Sequence, residues 1–315
     1  MAFLSREYAD SIAELARRNV YVGTSSWKYP GWIGQLYDEQ RYLWRGKVSN
    51  ARFERDCLEE YAQVFKSVCV DAGYYRFPTE DTLPKLVAQV PDDFLFSFKV
   101  TDEITTKRFP KLPRHGARGG LQNENFLNAE LFNQLFLGPL EPCRQNVGLL
   151  MFEFSHFYPG TFERGRDFVA QLDSFLGGLP GGWQFGVEIR NESFLHPEYF
   201  AVLAEHGVAH VYNNWERMPA VGEQLDIAGE GAGEFFGARF LLTPGRKYAE
   251  AVESFSPYNE TKRVDDAARA AGARLMKREP ARRSYLYVNN RLEGNSLETI
   301  RAMMALAGFC GDGPG

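Results

Sequence analysis

Apolar residues recur along this chain in two alternating rhythms, one at helical spacing and one in short β-branched or aromatic runs. The first helical stretch, residues 5–18, places Tyr8, Ile12 and Leu15 three and four apart, which predicts an amphipathic leader helix outside the repeat. VYVGTSS from Val20 has the profile of a buried strand leaving the core. The Gly/Pro turn WKYPGW and a polar excursion to about Arg52 follow it. A helix is expected over 53–65, with Leu58, Tyr61, Ala62 and Phe65 on one side. The alternation then continues with strands at 67–74, 94–100 and 146–154, a fifth within WQFGVEIRNESF (Trp183 to Phe194), and others at 209–215, 234–242 and 284–290. Helices are expected at 79–90, where Thr79 can cap the start, around 129–136, and at 164–176, 197–205, 260–276 and 297–307. The helix after the sixth strand is interrupted by Pro219 and Gly222.

Eight strands alternating with helices is the count that closes an α/β fold into a (β/α)8 TIM-like barrel, here with an N-terminal leader helix and a long loop after strand three. The 315 residues suit a single domain over 1–315, with the barrel at about 20–309. An open doubly wound sheet is the alternative, but no G-x-G-x-x-G turn follows the first strand.

The fifth strand carries this argument to the chemistry. Its alternation sends Val187 and Ile189 to one face and Gly186, Glu188 and Arg190 to the other, which suits a barrel with helices outside and an axis inside. In such a barrel the working face lies at the carboxyl ends of the strands. The last inward polar positions are Asp71, Lys99, Glu153, Glu188 with Arg190, Asn213 or Asn214, Arg239, and Asn289 with Asn290. Buried charge is costly unless paired or used, so this ring is either a polar pocket or an ion network that closes the barrel top. Glu188, Lys99, Asp71 and Glu153 are the candidate catalytic groups. Among these, Glu153 and Glu188 on adjacent strands could do acid/base work on a glycoside or similar substrate. Acids on the neighbouring strands favour the ammonium form of Lys99, which argues for a charged ligand rather than a Schiff base. Asp71, Glu153 and Glu188 could hold a divalent metal, but Lys99, Arg190 and Arg239 at the same height neutralise them. No cofactor is indicated. His156, in the loop after strand four, is an additional candidate.

The loop at 101–120 carries Lys107, Arg108, Lys111, Arg114 and Arg118, and is either a solvated loop or a lid supplying positive charge to a phosphate or carboxylate. Trp27, Tyr29, Trp32, Tyr74, Tyr75 and Trp215 could stack on a sugar or base, or simply pack. The net charge of −5 gives no global field for nucleic acid or an anionic membrane, so any anion binding is local. Cys57, Cys69, Cys143 and Cys310 lie scattered without metal-ligand spacing, as reduced thiols do. With no signal-like N-terminus and no membrane-length apolar run, the expectation is a soluble, cytoplasmic protein.

The motifs GTSSWKYPGW (Gly23 to Trp32), DAGYYRFP (Asp71 to Pro78), the F-x-F-x-x-K pattern at Lys99, GVEIR (Gly186 to Arg190) and YVNN followed by Gly294 occur in order across most of the chain. In this the chain resembles the domain of unknown function 72 family, the YecE-like proteins. The resemblance implies a TIM-like barrel with a polar cavity at the strand ends and no established activity. The shared polar positions it carries over are Ser25, Trp27, Tyr75, Arg76, Lys99, Glu188, Arg190, Arg239, Asn289 and Asn290. Asp71 stands where Glu is usual, Glu153 where Gln is common, Leu241 and Leu242 where His-Gly follows the arginine, and Thr299 where Asn is usual. The expectation is an enzyme, of hydrolase or lyase type, acting on a small anionic or sugar-like molecule. In that reading Glu188 is the acid or base, Lys99 and Arg190 are anion ligands, Asn289 and Asn290 orient the substrate, and Ser25, Trp27, Tyr75, Arg76, Asn213 and Arg239 complete its binding. A non-catalytic ligand-binding or partner-binding barrel and nucleic-acid processing through loop 107–118 are the alternatives.

Overall fold

Eight short strands, too short to bury themselves singly, solve the problem by lining up parallel around a common axis in the computed structural model, which describes residues 6–229 and 233–309. They are β1 (Val20–Thr24), β2 (Ser67–Val70), β3 (Leu95–Lys99), β4 (Val147–Phe154), β5 (Gln184–Ile189), β6 (Ala209–Asn214), β7 (Gly237–Phe240) and β8 (Ser284–Val288). Ladders run from β2 in sequence order to β8, and β8 pairs with β1. The remaining gap, between β1 and β2, is bridged by a side chain. Tyr61 Oη accepts from Thr24 N at 3.1 Å and donates to Ser67 O at 3.1 Å, standing in for a ladder bond. The approach is so close that a Cβ on Gly23 would lie 2.2 Å from Ser67 O, which is why this position has none.

The period of two divides the apolar residues between two cores. Inside the barrel, Cys69, Leu95, Leu149, Met151, Val211, Tyr285 and Tyr287 pack together. Tyr287 Oη lies 2.6 Å from both Ser67 Oγ and Ser97 Oγ, and Ser97 Oγ accepts from Leu149 N, so the interior hydroxyls are mutually satisfied. Outside, the opposite faces of the strands pack against the helices in one larger core. The leader helix, Arg6–Arg17, buries Tyr8, Ile12 and Leu15, with Tyr8 edge-on to Phe65 and donating to Leu297 O. The first residue of the expected leader helix, residue 5, and Cys310 lie outside the described residues. Among the described residues, no helix is long and apolar enough to cross a membrane.

Several boundaries differ from the sequence reading. The second strand stops at Val70, and Asp71–Tyr74 turns into a 3-10 helix. Thr79 does not cap; its N–H donates to Thr82 Oγ1, and the helix occupies Thr82–Val87, where Pro84 is tolerated in the first turn. Gly222 sits inside Val221–Ala228 rather than breaking it, because Gln224 Nε2 ties that helix to Asn213 O and Pro219 O. The expected 260–276 helix begins at Asp266, capped by Asp265, and an unexpected helix, Tyr248–Phe255, precedes it. The polar excursion before residue 52 holds a small hairpin, Leu43–Trp44 with Lys47–Val48, whose turn residues Arg45 and Gly46 both have positive φ.

Candidate active site

Register decides which charges meet. Glu153 on β4 and Glu188 on β5 are directly paired across their ladder, two like charges side by side. Such a pair is unfavourable unless a cation stands between them. Arg239, from β7 across the barrel, supplies it: Nη1 donates to Glu153 Oε2 at 3.0 Å and to Glu188 Oε2 at 2.7 Å. Its Nη2 reaches Asp71 Oδ1 at 3.2 Å. Arg190, one step beyond β5, donates from Nε to Glu188 Oε1 at 3.0 Å and places Nη2 2.7 Å from Glu153 Oε2. Lys99 Nζ completes the set at 2.8 Å from the same Glu153 oxygen.

Three acids and three bases therefore form one neutral cluster at the carboxyl ends of β2, β3, β4, β5 and β7. Burial by itself would raise the Glu153 carboxyl, but Arg190, Lys99 and Arg239 outweigh it and hold the group well below the usual glutamate range. Burial likewise opposes the Arg239 charge, and Glu188 and the other acids keep it firmly protonated. Glu188 is fully buried with both oxygens engaged, whereas the Asp71 side chain is 39 % exposed. Aromatic faces cover the outer cations: Lys99 Nζ lies 3.6 Å from the Tyr74 ring centre, and the Arg190 guanidinium 3.8 Å from that of Trp215.

The other predicted residues divide into two groups. Ser25, Asn213, Asn289 and Asn290 are buried at the same end of the barrel. Asn213 Nδ2 donates to Ile189 O, Asn289 Oδ1 accepts from Arg291 N, and Asn290 Oδ1 accepts from Ser296 N, so each holds backbone. Ser25 Oγ, Asn213 Oδ1, Asn290 Nδ2 and Arg239 Nε are buried without a hydrogen-bond partner among the described residues. Trp27 is buried, with Lys28 over its ring. Tyr75, 62 % exposed, and Arg76 lie on the surface outside the charge cluster. His156 Nδ1 sits 3.2 Å from Arg190 O and braces the backbone of that arginine.

The basic loop spends much of its charge on its own folding. Arg118 pairs with Glu103, Arg108 donates to Gly120 O, and Lys107 lies over Phe126 and Phe162. Arg114 reaches the rim, 5.4 Å from the Tyr75 ring centre, and its Nη2 is 3.6 Å from Asp102 Oδ2. Asp102 and His115, 3.7 Å apart, escaped the sequence reading. The signal was the acid just past the third strand, but its partner lies in an irregular loop with no period to place it. The three acids that could bind a divalent cation are all engaged by arginine. Among the described residues, no group of three or more His, Cys, Asp or Glu is arranged to hold a metal. Burial pushes the Cys57 thiol up to about 12, which suits a packing role.

A parallel eight-stranded barrel surrounded by helices is a TIM-like barrel, and the charge cluster lies at the carboxyl ends of its strands. The chain belongs to the family described as "Protein of unknown function DUF72", whose profile matches residues 21–312. It is 28 % identical over 182 residues to the UPF0759 protein YecE of Escherichia coli K12, an alignment covering 58 % of this chain and 50 % of that protein. The chain thus spans about half the length of the curated relatives it matches. A DUF72 family protein from Enterococcus faecalis V583 superposes with a TM-score of 0.61 at 17 % identity, covering 94 % of this chain and 98 % of that one. Another, from Thermotoga maritima MSB8, gives 0.56 at 19 % identity over 90 % and 98 %. At these identities the structures speak for the fold.

Proposed function

We propose that the barrel mouth binds and transforms a small polar, anionic or sugar-like molecule. The observation that carries this reading is the charge cluster itself: its inner members are neutralised and locked, while Asp71 reaches solvent and Lys99 and Arg190 lie under aromatic faces at its outer edge. Buried guanidinium and carboxylate groups fixed in advance stabilise developing charge without reorganising. Glu153, held as a carboxylate by three cations, serves as a fixed counter-charge rather than a proton donor. Glu188, with both oxygens committed to arginines, positions Arg190 and Arg239. Proton transfer then falls to Asp71, the accessible acid, with Lys99 and Arg190 as ligands for the substrate's negative oxygens.

The test is a calorimetric and thermal-shift screen of the full chain against sugar acids, phosphorylated sugars and dicarboxylates, with mass spectrometry of any copurifying ligand. Arg190→Gln should weaken the ligand found by about tenfold or more, the loss of a charge-assisted hydrogen bond. Asp71→Asn should keep the affinity and abolish turnover. A screen with no ligand would overturn the reading. The charge balance of the cluster favours a second reading, a non-catalytic binding barrel. In that case the ligand binds and neither the wild type nor Asp71→Asn turns it over.

A further inference from the structure

Several other cations at the barrel mouth are matched by acids: buried Lys99, Arg190 and Arg239 as described, and the partly buried Arg269 by Glu293 at 2.8 Å. Arg246 is not. It lies in the turn after β7 and is 7 % exposed, with Nη1 donating to Leu292 O at 2.9 Å and the guanidinium 4.8 Å from the Phe255 ring centre. Among the described residues it makes no ion pair with an acid within 4.0 Å. Asp265, which lies nearby, is committed to Thr243 Oγ1 at 2.7 Å and to the N–H of Ala268 at 3.0 Å. A guanidinium does not shed its proton, so this charge stays, and one carbonyl with a phenyl face offsets only part of its desolvation.

A second arginine stands beside it in the chain segment after β8. Arg291 adjoins Leu292, the residue whose carbonyl Arg246 holds; it lies 4.7 Å from the Tyr248 ring centre, and its Nε is buried without a hydrogen-bond partner among the described residues. Tyr248 in turn opens the eight-residue helix Tyr248–Phe255, whose N-cap, Lys247, makes no side-chain capping bond. That helix is extra to the barrel repeat, since Asp266–Met276 is the long helix between β7 and β8. In barrels of this kind, phosphate groups are frequently held by the loops after strands seven and eight together with the N-terminus of a short extra helix, where free N–H groups and the helix dipole favour a dianion.

We infer that the loops after β7 and β8 form a phosphate subsite in which Arg246 and Arg291 hold the phosphate of a small phosphomonoester. The first N–H groups of Tyr248–Phe255 are its further donors. This rests on reading the mouth as a ligand site and names the substrate class: the phosphate lies on the β7–β8 side, and the rest of the molecule extends toward Asp71, Lys99 and Arg190. Glu250, in the first turn of the same helix, acts on the Arg246 charge and opposes an anion at that end, so the affinity of the subsite has to come from the two arginines.

The experiment titrates the full chain with inorganic phosphate and, separately, with glucose 6-phosphate, by calorimetry and by amide NMR. Phosphate should shift the Tyr248 and Ala249 amides. Arg246→Met and Arg291→Met should each weaken inorganic phosphate by about tenfold or more, whereas Asp71→Asn should leave it within about twofold. Tighter binding of glucose 6-phosphate than of inorganic phosphate identifies the organic ester as the ligand, and equal affinity identifies free phosphate and overturns that part of the proposal. If Arg246→Met fails to fold, Arg291→Met, at a partly exposed residue, carries the test. Phosphate binding unaltered by either variant, or absent from the wild type, overturns the subsite. If the wild type then still binds a sugar acid or dicarboxylate, the ligand-site reading survives alone; if it binds nothing, both fall.

Discussion

His210 sits on the outer face of β6, with Tyr199 Oη 3.0 Å from Nδ1 and Gln224 Oε1 3.3 Å from Nε2. The Gln224 amide nitrogen already donates to two carbonyls, so its oxygen must accept, which makes Nε2 the protonated nitrogen and leaves Nδ1 to accept from the tyrosine. Burial pushes the imidazole down to about 4, and the bond to Gln224 only partly opposes this. The folded form therefore refuses a proton that the unfolded chain takes up below the usual histidine value of 6.5. Stability from this residue is complete above pH 6.5 and falls as the pH drops toward 4. Urea unfolding at pH 7 and at pH 4 should show the wild type losing roughly 3 kcal/mol more than His210→Gln. Equal losses would exclude the residue as an acid-sensitive point. None of this was visible in AHVYNN, where His210 occupies an outward position like any apolar neighbour.

At the scale of elements, the weak joint is the one without a ladder. β1 and β2 meet through Tyr61, so Tyr61→Phe leaves Thr24 N–H and Ser67 C=O without that bridge in the core. The expected loss is about 1–3 kcal/mol. Hydrogen exchange should localise it, with faster exchange at Thr24 and along Ser67–Val70 and unchanged protection in β4 and β5. Gly23→Ala forces a Cβ against Ser67 O and should open the same joint at a loss of about 3 kcal/mol or more. Alternation within single strands was legible because a period of two needs only near neighbours: GVEIR alone puts Glu188 and Arg190 on one face. Strand ends were less so. Whether 71–74 continues the second strand depends on whether β3 still offers partners there, and the ladder ends at Val70 with Phe98.

For the molecule as a whole, the leader helix is a piece of the outer layer rather than an appendage, since Tyr8, Ile12 and Leu15 are all buried. Ile12→Ala should lower unfolding stability by about 2–5 kcal/mol, whereas Asp10→Ala on the exposed face stays within about 0.5 kcal/mol, both read by denaturant titration. Comparable small effects from the two would show that the helix docks without contributing to the core.

By itself, the sequence determined the number and order of the barrel strands, the inward phase of most of them, and the residue types that phase carries to the mouth, because hydrophobic periodicity and turn chemistry are properties of neighbouring residues; on the sixth and eighth strands it left two adjacent asparagines open. Only the tertiary structure decided the pairings. Glu153 and Glu188 are level because of the β4–β5 register, and Arg239 lies between them because closure brings β7 across the axis. The same closure left Arg246 buried without an acid beside Arg291, on turns whose sequences carry no period at all. Charge is read one residue at a time, but its partner is chosen by the shear of a closed sheet, a property of the whole ring of strands.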